Sequence, residues 1–319
     1  MTFYDIFNGD ADGLCALHQL RLSFPRESVL VTGVKRDIRL LEKVQAQAGD
    51  VLTVLDISLK ENQPALLRVL ESGAQVHYFD HHFAGKIPRH PRLCAAIDTA
   101  PDVCTSLLVD RHLNGGQRIW AVVAAFGDSL HESAKRAAAP LGLNENQLTR
   151  LRELGECLNY NAYGESVDDL YFHPADLYQQ LKPYRSPFDF IEKEEAFNVL
   201  KNGCRKDLQR ALAVAAETSG RACAVYRLPD AAWSRRAAGV FGNHLAQAYP
   251  QRAHAVLVPA GKRGYSVSVR APLERPLGAD ELCRLFAGGG RQVAAGINCL
   301  PETEVENFIA MFGQKFKRP

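Results

Sequence analysis

Strand-like and helix-like hydrophobic periods alternate through the first part of the sequence, and that alternation leaves few folds open. "TFYDIFN" is short, aromatic and β-branched, as a strand requires. "GLCALHQLRLSF" then spaces Leu14, Leu17, Leu20 and Phe24 along one helical face. "SVLVTGV" reads as a second strand, "DIRLLEKVQAQAG" as a helix stopping at Gly49, and "DVLTVLDIS" as a third strand. "ENQPALLRVLESG" is a helix with an early Pro64 and a terminal Gly73, "AQVHYFDHH" a fourth strand, and "LCAAIDT" a candidate fifth. Apolar strands separated by amphipathic helices build βαβ units. The expected fold class is therefore α/β, with a doubly wound, mostly parallel sheet covered on both faces.

From Val103 the pattern turns helical, through "VCTSLLVDRHL" and "QRIWAVVAAFGDS" to about Leu181. The turn-rich "KPYRSPFDF" follows, then two expected connector helices around residues 192–200 and 207–216. A second unit begins near Arg221, with strands "ACAVYRL", "AHAVLVPA" and "GYSVSVRAP", the helix "AAGVFGNHLAQAYP", a helix near residues 282–286, and "GGGRQVAAGIN". The boundaries expected are residues 1–185, a helical linker 186–220, and a smaller α/β unit 221–319 with a mixed sheet. Charge divides in the same way: residues 203–319 carry 17 Lys and Arg against 9 Asp and Glu, and residues 1–202 carry 21 against 27. Such a split suggests two units with different electrostatic tasks.

No apolar run approaches the ~20 residues needed to span a bilayer, so no membrane association is expected. The N-terminus "MTFYDIFNGDADG" lacks the basic and apolar regions of a signal peptide. The 8 cysteines form no CxxC pair, which disfavours a structural zinc site and reads as reduced thiols in a cytoplasm.

In an open parallel sheet, ligands bind beyond the carboxyl ends of the strands. The first strand is followed by Asn8, Asp10 and Asp12, the third by Asp56, and the fourth by Asp80, His81 and His82; Asp128 ends a later helix in "AFGDS". Each alone reads equally as a turn, a cap or a solvated residue. Together they converge, since adjacent strands lie about 4.8 Å apart. Such a crowd of carboxylates stays ionised only beside cations. Oxygen ligands with an imidazole suit manganese best, with magnesium, cobalt or zinc as alternatives. Two metals about 3.5–4 Å apart, sharing one carboxylate, would activate water against a phosphorus centre.

"FNGDADG", "VLDIS", "YFDHHFAG" and "AAFGDS" resemble the four ordered motifs of the DHH phosphoesterase superfamily, and "DTAPDVCTSLLV" its threonine- and serine-bearing helix. "GGGRQVAAGIN", preceded by "YSVSVRAP", resembles the DHHA1 signature, usually GGGHxxAAG. The resemblance covers nearly the whole chain and includes RecJ-like exonucleases and nanoRNase/pAp phosphatases. It implies that residues 1–185 form a metal-binding catalytic domain and residues 221–319 a substrate-binding one. It implies that Asp56 bridges two metals, that Asp12, His81 and Asp128 complete the second site, and that Asp10 belongs to the first. His82 would face the scissile phosphate, and Asp80 would support the histidines.

Two positions depart from the family pattern. Asn8 stands where His or Asp is usual, so the first site should be weak. Arg291 stands where His is usual; after Gly288, Gly289 and Gly290 it offers a fork for a terminal phosphate, with Arg270 as a second. The basic C-terminal unit would close over the acidic metal half, which favours a phosphorylated substrate. No added domain with stacking platforms for long strands is evident. The expected activity is a metal-dependent phosphodiesterase or phosphomonoesterase on short single-stranded oligonucleotides or small nucleotides, with a homodimer as one arrangement. The alternatives are a RecJ-like single-strand exonuclease and a degenerate member that binds without turnover.

Overall fold

The computed structural model describes residues 1–261 and 264–317. They divide into two compact units, Met1–Asn202 and Gly203–Pro319. The first contains β1 (Phe3–Phe7), α1 (Ala11–Ser23), β2 (Val29–Val31), β3 (Val51–Leu55), α2 (Leu59–Glu71), β4 (Gln75–Asp80), β5 (Leu93–Ile97), α3 (Thr105–His112), α4 (Arg118–Gly127), α5 (His131–Ala138), α6 (Glu145–Asn161), α7 (Pro174–Leu181) and α8 (Pro187–Lys193). Helix α9 (Glu195–Leu212) runs through the junction. The second unit continues with β6 (Thr218–Ser219), β7 (Cys223–Arg227), α10 (Ala232–Ala248), β8 (Ala253–Pro259), β9 (Tyr265–Arg270), α11 (Ala279–Arg284), β10 (Gly289–Gly290), β11 (Ala294–Leu300) and α12 (Val305–Phe316). Among the described residues, no helix is long and apolar enough to cross a membrane.

The first sheet is ordered β2-β1-β3-β4-β5 and every pair is parallel. Its registers explain why the strands are apolar throughout. Phe7, Leu55 and Phe79 stand side by side and enter the core formed with α1, α4 and α6. Their predecessors Ile6, Val54 and Tyr78 point to the opposite face, against α2. Alternate residues thus bury both faces. The second sheet is mixed, ordered β10-β11-β9-β8-β7-β6, with β7 and β8 parallel and the other pairs antiparallel.

Two expectations are corrected. "DIRLLEKVQAQAG" is not a helix; it holds one 3-10 turn, Leu40–Lys43. The Asn62 side chain on α2 explains why. It accepts from Leu41 N (3.2 Å) and donates to Ile38 O (2.6 Å), supplying the partners a helix would supply internally. The two connector helices are one, α9, with a buried Gly203 in its interior. A helical glycine costs only about 1 kcal/mol against alanine, which packing overrides.

His18 on α1 is 1% exposed, donates through Nε2 to Tyr184 O at 2.8 Å, and leaves Nδ1 without a partner among the described residues. Burial pushes it down to about 4 from 6.5, against the hydrogen bond to Tyr184. The unfolded chain therefore binds the extra proton first. Stability of the first unit should be complete above pH 6.5 and fall by about 3 kcal/mol as pH drops from 6.5 to 4. Urea unfolding at pH 7 and 4.5 checks this: His18→Gln should lose less between the two pH values than the wild type.

Candidate metal centre

The order β2-β1-β3-β4-β5 reverses its winding between β1 and β3, which opens a crevice at their carboxyl ends. Asp10 caps α1: its Oδ1 accepts from Asp12 N at 3.0 Å and Gly13 N at 3.1 Å. Asp12, fully buried in the first turn, reaches across to α3. Its two oxygens accept from Thr105 N and Ser106 N, both at 2.7 Å, so a carboxylate sits on the positive end of that helix. Asp56 follows β3 in the left-handed region, φ +59°, with its N–H on Phe79 O (3.1 Å) and its Oδ1 accepting from Thr105 Oγ1 (3.1 Å). Strained backbone of this kind persists where the surroundings over-determine it, often at functional sites. Asp128 caps the C-terminal end of α4. That helix lies so close to α1 that a Cβ on Gly127 would stand 2.4 Å from Ala11 Cβ, which carries Asp128 to the capped end of α1.

His81 decides what the cluster can hold. Its Nδ1 lies 2.9 Å from Val103 O, which can only accept, so Nδ1–H donates there. Nε2 then lies 3.4 Å from Asp56 Oδ1 and 3.9 Å from Asp128 Oδ2. With Nδ1 so engaged, Nε2 is the nitrogen left to ligate a cation set between these carboxylates. Asp12, His81 and Asp128 offer atoms within 4.8 Å of one another, and so do Asp56, His81 and His82. The residues therefore fit a divalent ion with oxygen ligands and one imidazole.

The electrostatics agree. Burial, then the charges of Asp12, Asp10, Asp128 and Asp80, push the Asp56 carboxyl well above the usual range. Burial raises Asp128 to about 6, with Asp12 and Asp10 adding to it and Lys35 opposing. Burial would raise Asp10 as well, but the Lys35 charge and hydrogen bonds from Lys35 and Gly13 hold it below its ordinary value. His82 donates from Nδ1 to the buried Asp80 Oδ1 at 2.7 Å. Burial pulls His82 down, yet Asp80 outweighs it and the imidazole is held above its ordinary value.

Sequence reasoning missed Lys35. It directly follows the strand expected at "SVLVTGV", four residues beyond the end of β2, and inspecting every expected strand end for cations as well as carboxylates would have found it. Its Nζ donates to Asp10 Oδ2, to Asn159 Oδ1 at 3.1 Å and to Asp128 Oδ1 at 3.3 Å. Asn159, on α6, had no signal in the sequence. Asn8, expected as a weak ligand, is engaged with backbone at both ends of its amide: Oδ1 accepts from Asp10 N (3.3 Å) and Nδ2 donates to Lys35 O (3.2 Å).

In the second unit, Gly289 and Gly290 form β10, and Arg291 exchanges two backbone hydrogen bonds with Ala294. Ala294 stands opposite Arg270 on β9, so the two arginines flank one residue on one face. Arg291 is exposed. Arg270 is held by α10, donating to Asn243 Oδ1 (2.7 Å) and Gly239 O (3.4 Å).

No family model matches the chain, and no curated protein matches it in sequence. Solved structures do match. The exonuclease RecJ bound to manganese is 15% identical, with a TM-score of 0.64 over 99% of this chain and 91% of that one. RecJ from Thermus thermophilus in complex with Mn2+ is 17% identical, with a TM-score of 0.63 over 100% of this chain and 53% of that one. A pGpG-specific phosphodiesterase, PggH from Vibrio cholerae, is 15% identical, with a TM-score of 0.54 over 98% of both. With its parallel sheet, its motif residues at the strand ends and its mixed second sheet, the chain has the DHH/DHHA1 superfamily fold.

Proposed function

We propose that the chain is a divalent-metal-dependent phosphoesterase that hydrolyses short oligonucleotides or small nucleotides. The observation that carries this reading is His81, held by Val103 O with its Nε2 turned to Asp56 and Asp128. Asp12, Asp56, His81 and Asp128 would hold the ion. When bound, manganese or a similar ion lowers the pKa of a coordinated water and polarises a phosphoryl oxygen. Thr105 and Ser106 keep Asp12 and Asp56 in place, so little reorganisation is needed. His82, oriented by Asp80, keeps Nε2 for a hydrogen bond or a proton to the phosphate ester oxygen.

The near-equal coverage with a phosphodiesterase named for pGpG supports a short substrate. The RecJ likeness supports single-stranded ends as the second reading. Purified protein with Mn2+, tested on dinucleotides, pAp, cyclic dinucleotides and single-stranded DNA, separates them. Preference for dinucleotides supports the proposal; processive degradation of long strands favours the exonuclease; binding without turnover across the panel overturns both.

The glycine run gives a sharper test. A Cβ on Gly288 would meet Gly296 O at 2.4 Å, and one on Gly290, φ +141°, would meet Ala295 Cα at 2.5 Å. Packing alone explains both. Gly289 is exposed and nothing lies within 4 Å of a Cβ there. Gly288→Ala should therefore destabilise the second unit by about 1–3 kcal/mol. Gly289→Val should leave stability within about 0.5 kcal/mol and raise KM severalfold. An unchanged KM for Gly289→Val would remove this loop from the substrate site.

A further inference from the structure

The metal centre contains a cation that belongs to the chain itself. We infer that the Lys35 ammonium permanently occupies one of two cation positions, so that the centre takes a single divalent ion. The inference rests on the metal-dependent reading above and specifies how many ions that reading involves.

Lys35 is fixed from both sides of its backbone. Its N–H donates to Ala162 O at 3.0 Å and its carbonyl accepts from the Asn8 amide at 3.2 Å. The loop carrying it abuts the one after β1, where a Cβ on Gly9 would lie 2.1 Å from Gly33 O. So held, Nζ finds three oxygens, one each from Asp10, Asn159 and Asp128. Three acceptors match the three donors of an ammonium. The side chain stands where a cation joins the end of β1 to the end of α4.

Among the described residues, the ligand inventory leaves no second full set. Asp10 gives Oδ1 to two backbone N–H groups and Oδ2 to Lys35. Asn8 has both amide ends on backbone. The two groupings of candidate ligands, Asp12–His81–Asp128 and Asp56–His81–His82, share His81. With Nδ1 on Val103 O, His81 has one nitrogen to give, and it serves one ion. Asp12, Asp56, Asp128 and His81 therefore supply one divalent ion. Lys35 neutralises Asp10 and the outward oxygen of Asp128.

Equilibrium dialysis with Mn2+, together with electron paramagnetic resonance of the loaded protein, tests this without assaying turnover. Wild type should bind one Mn2+ per chain and show the spectrum of an isolated ion. Lys35→Met, which keeps most of the side-chain volume and removes the charge, should bind two and show a spin-coupled pair. Wild type carrying two coupled ions would overturn the inference and leave the metal-dependent reading standing. One ion in both wild type and folded Lys35→Met would also overturn it, because the lysine would then not be what excludes the second. No Mn2+ bound by wild type would overturn the metal-dependent reading itself. Should Lys35→Met fail to fold, the wild-type stoichiometry and spectrum still decide.

Discussion

Asp56→Asn is expected to lower turnover at least a thousandfold and to raise the melting temperature of metal-free protein at pH 8. The two effects have one cause. Asp56 is 2% exposed, and it faces Asp12, Asp10, Asp128 and Asp80. A group whose folded pKa is raised this way costs stability once pH exceeds its unfolded value near 4, and the cost grows until pH passes the folded value. An amide removes that cost. Asparagine also tolerates the left-handed backbone at φ +59°, so the loop geometry survives. The same substitution takes one charge from the ion's ligands, and a thousandfold loss corresponds to about 4 kcal/mol of transition-state stabilisation. Manganese should raise the melting temperature of wild type, because ligands that bind only the folded state stabilise it, and should raise that of Asp56→Asn much less. A variant with near wild-type turnover would remove Asp56 from the centre.

The sequence makes this cluster legible because a parallel sheet converts strand order into position. Asp10, Asp12, Asp56 and His81 can be read as neighbours once each is seen to follow a strand. Lys35 follows a strand by the same rule, but a search for ligands passes over a lysine. Its role depends on Asn159 and on backbone contacts at Asn8 and Gly9 that no local pattern announces. The state of Asn8 is likewise tertiary: the backbone partners of its amide lie beyond what local sequence shows. In the helix expected at residues 37–49, Leu40, Leu41 and Val44 are buried at spacings that a helix would give. Asn62, distant in sequence, instead satisfies the backbone of that segment, and Val44 is extended at φ −101°, ψ 132°. Periodicity reports which residues are buried, not which partners close their hydrogen bonds.

Arg21→Met is expected to cost the first unit about 3–5 kcal/mol, the usual penalty for stripping a buried charge of its partner. Asp5 lies in the middle of β1 and is 1% exposed; the Arg21 side chain on α1 is 6% exposed. Arg21 Nε donates to Asp5 Oδ2 at 2.8 Å and Nη2 to Asp5 Oδ1, the bidentate arrangement that suits a guanidinium. Ser28 Oγ donates to the same carboxylate at 2.6 Å, and Arg21 Nη2 to Thr53 Oγ1 at 3.1 Å, which ties in β3. Among the described residues, removing the arginine leaves that buried carboxylate with the Ser28 hydroxyl as its remaining hydrogen-bond donor. Replacing both residues, Asp5→Leu with Arg21→Met, removes both charges and should recover at least half of the loss, because the pair's own desolvation cost disappears with it. Urea midpoints of the two single variants and the double variant form the cycle that measures this coupling. Additive losses would mean that the pair is not coupled. The pair joins β1 to α1, the two elements whose junction carries Asp10 and Asp12, yet touches neither. Manganese affinity of folded Arg21→Met should therefore stay within about threefold of wild type, separating the scaffold that positions the centre from the groups that bind the ion.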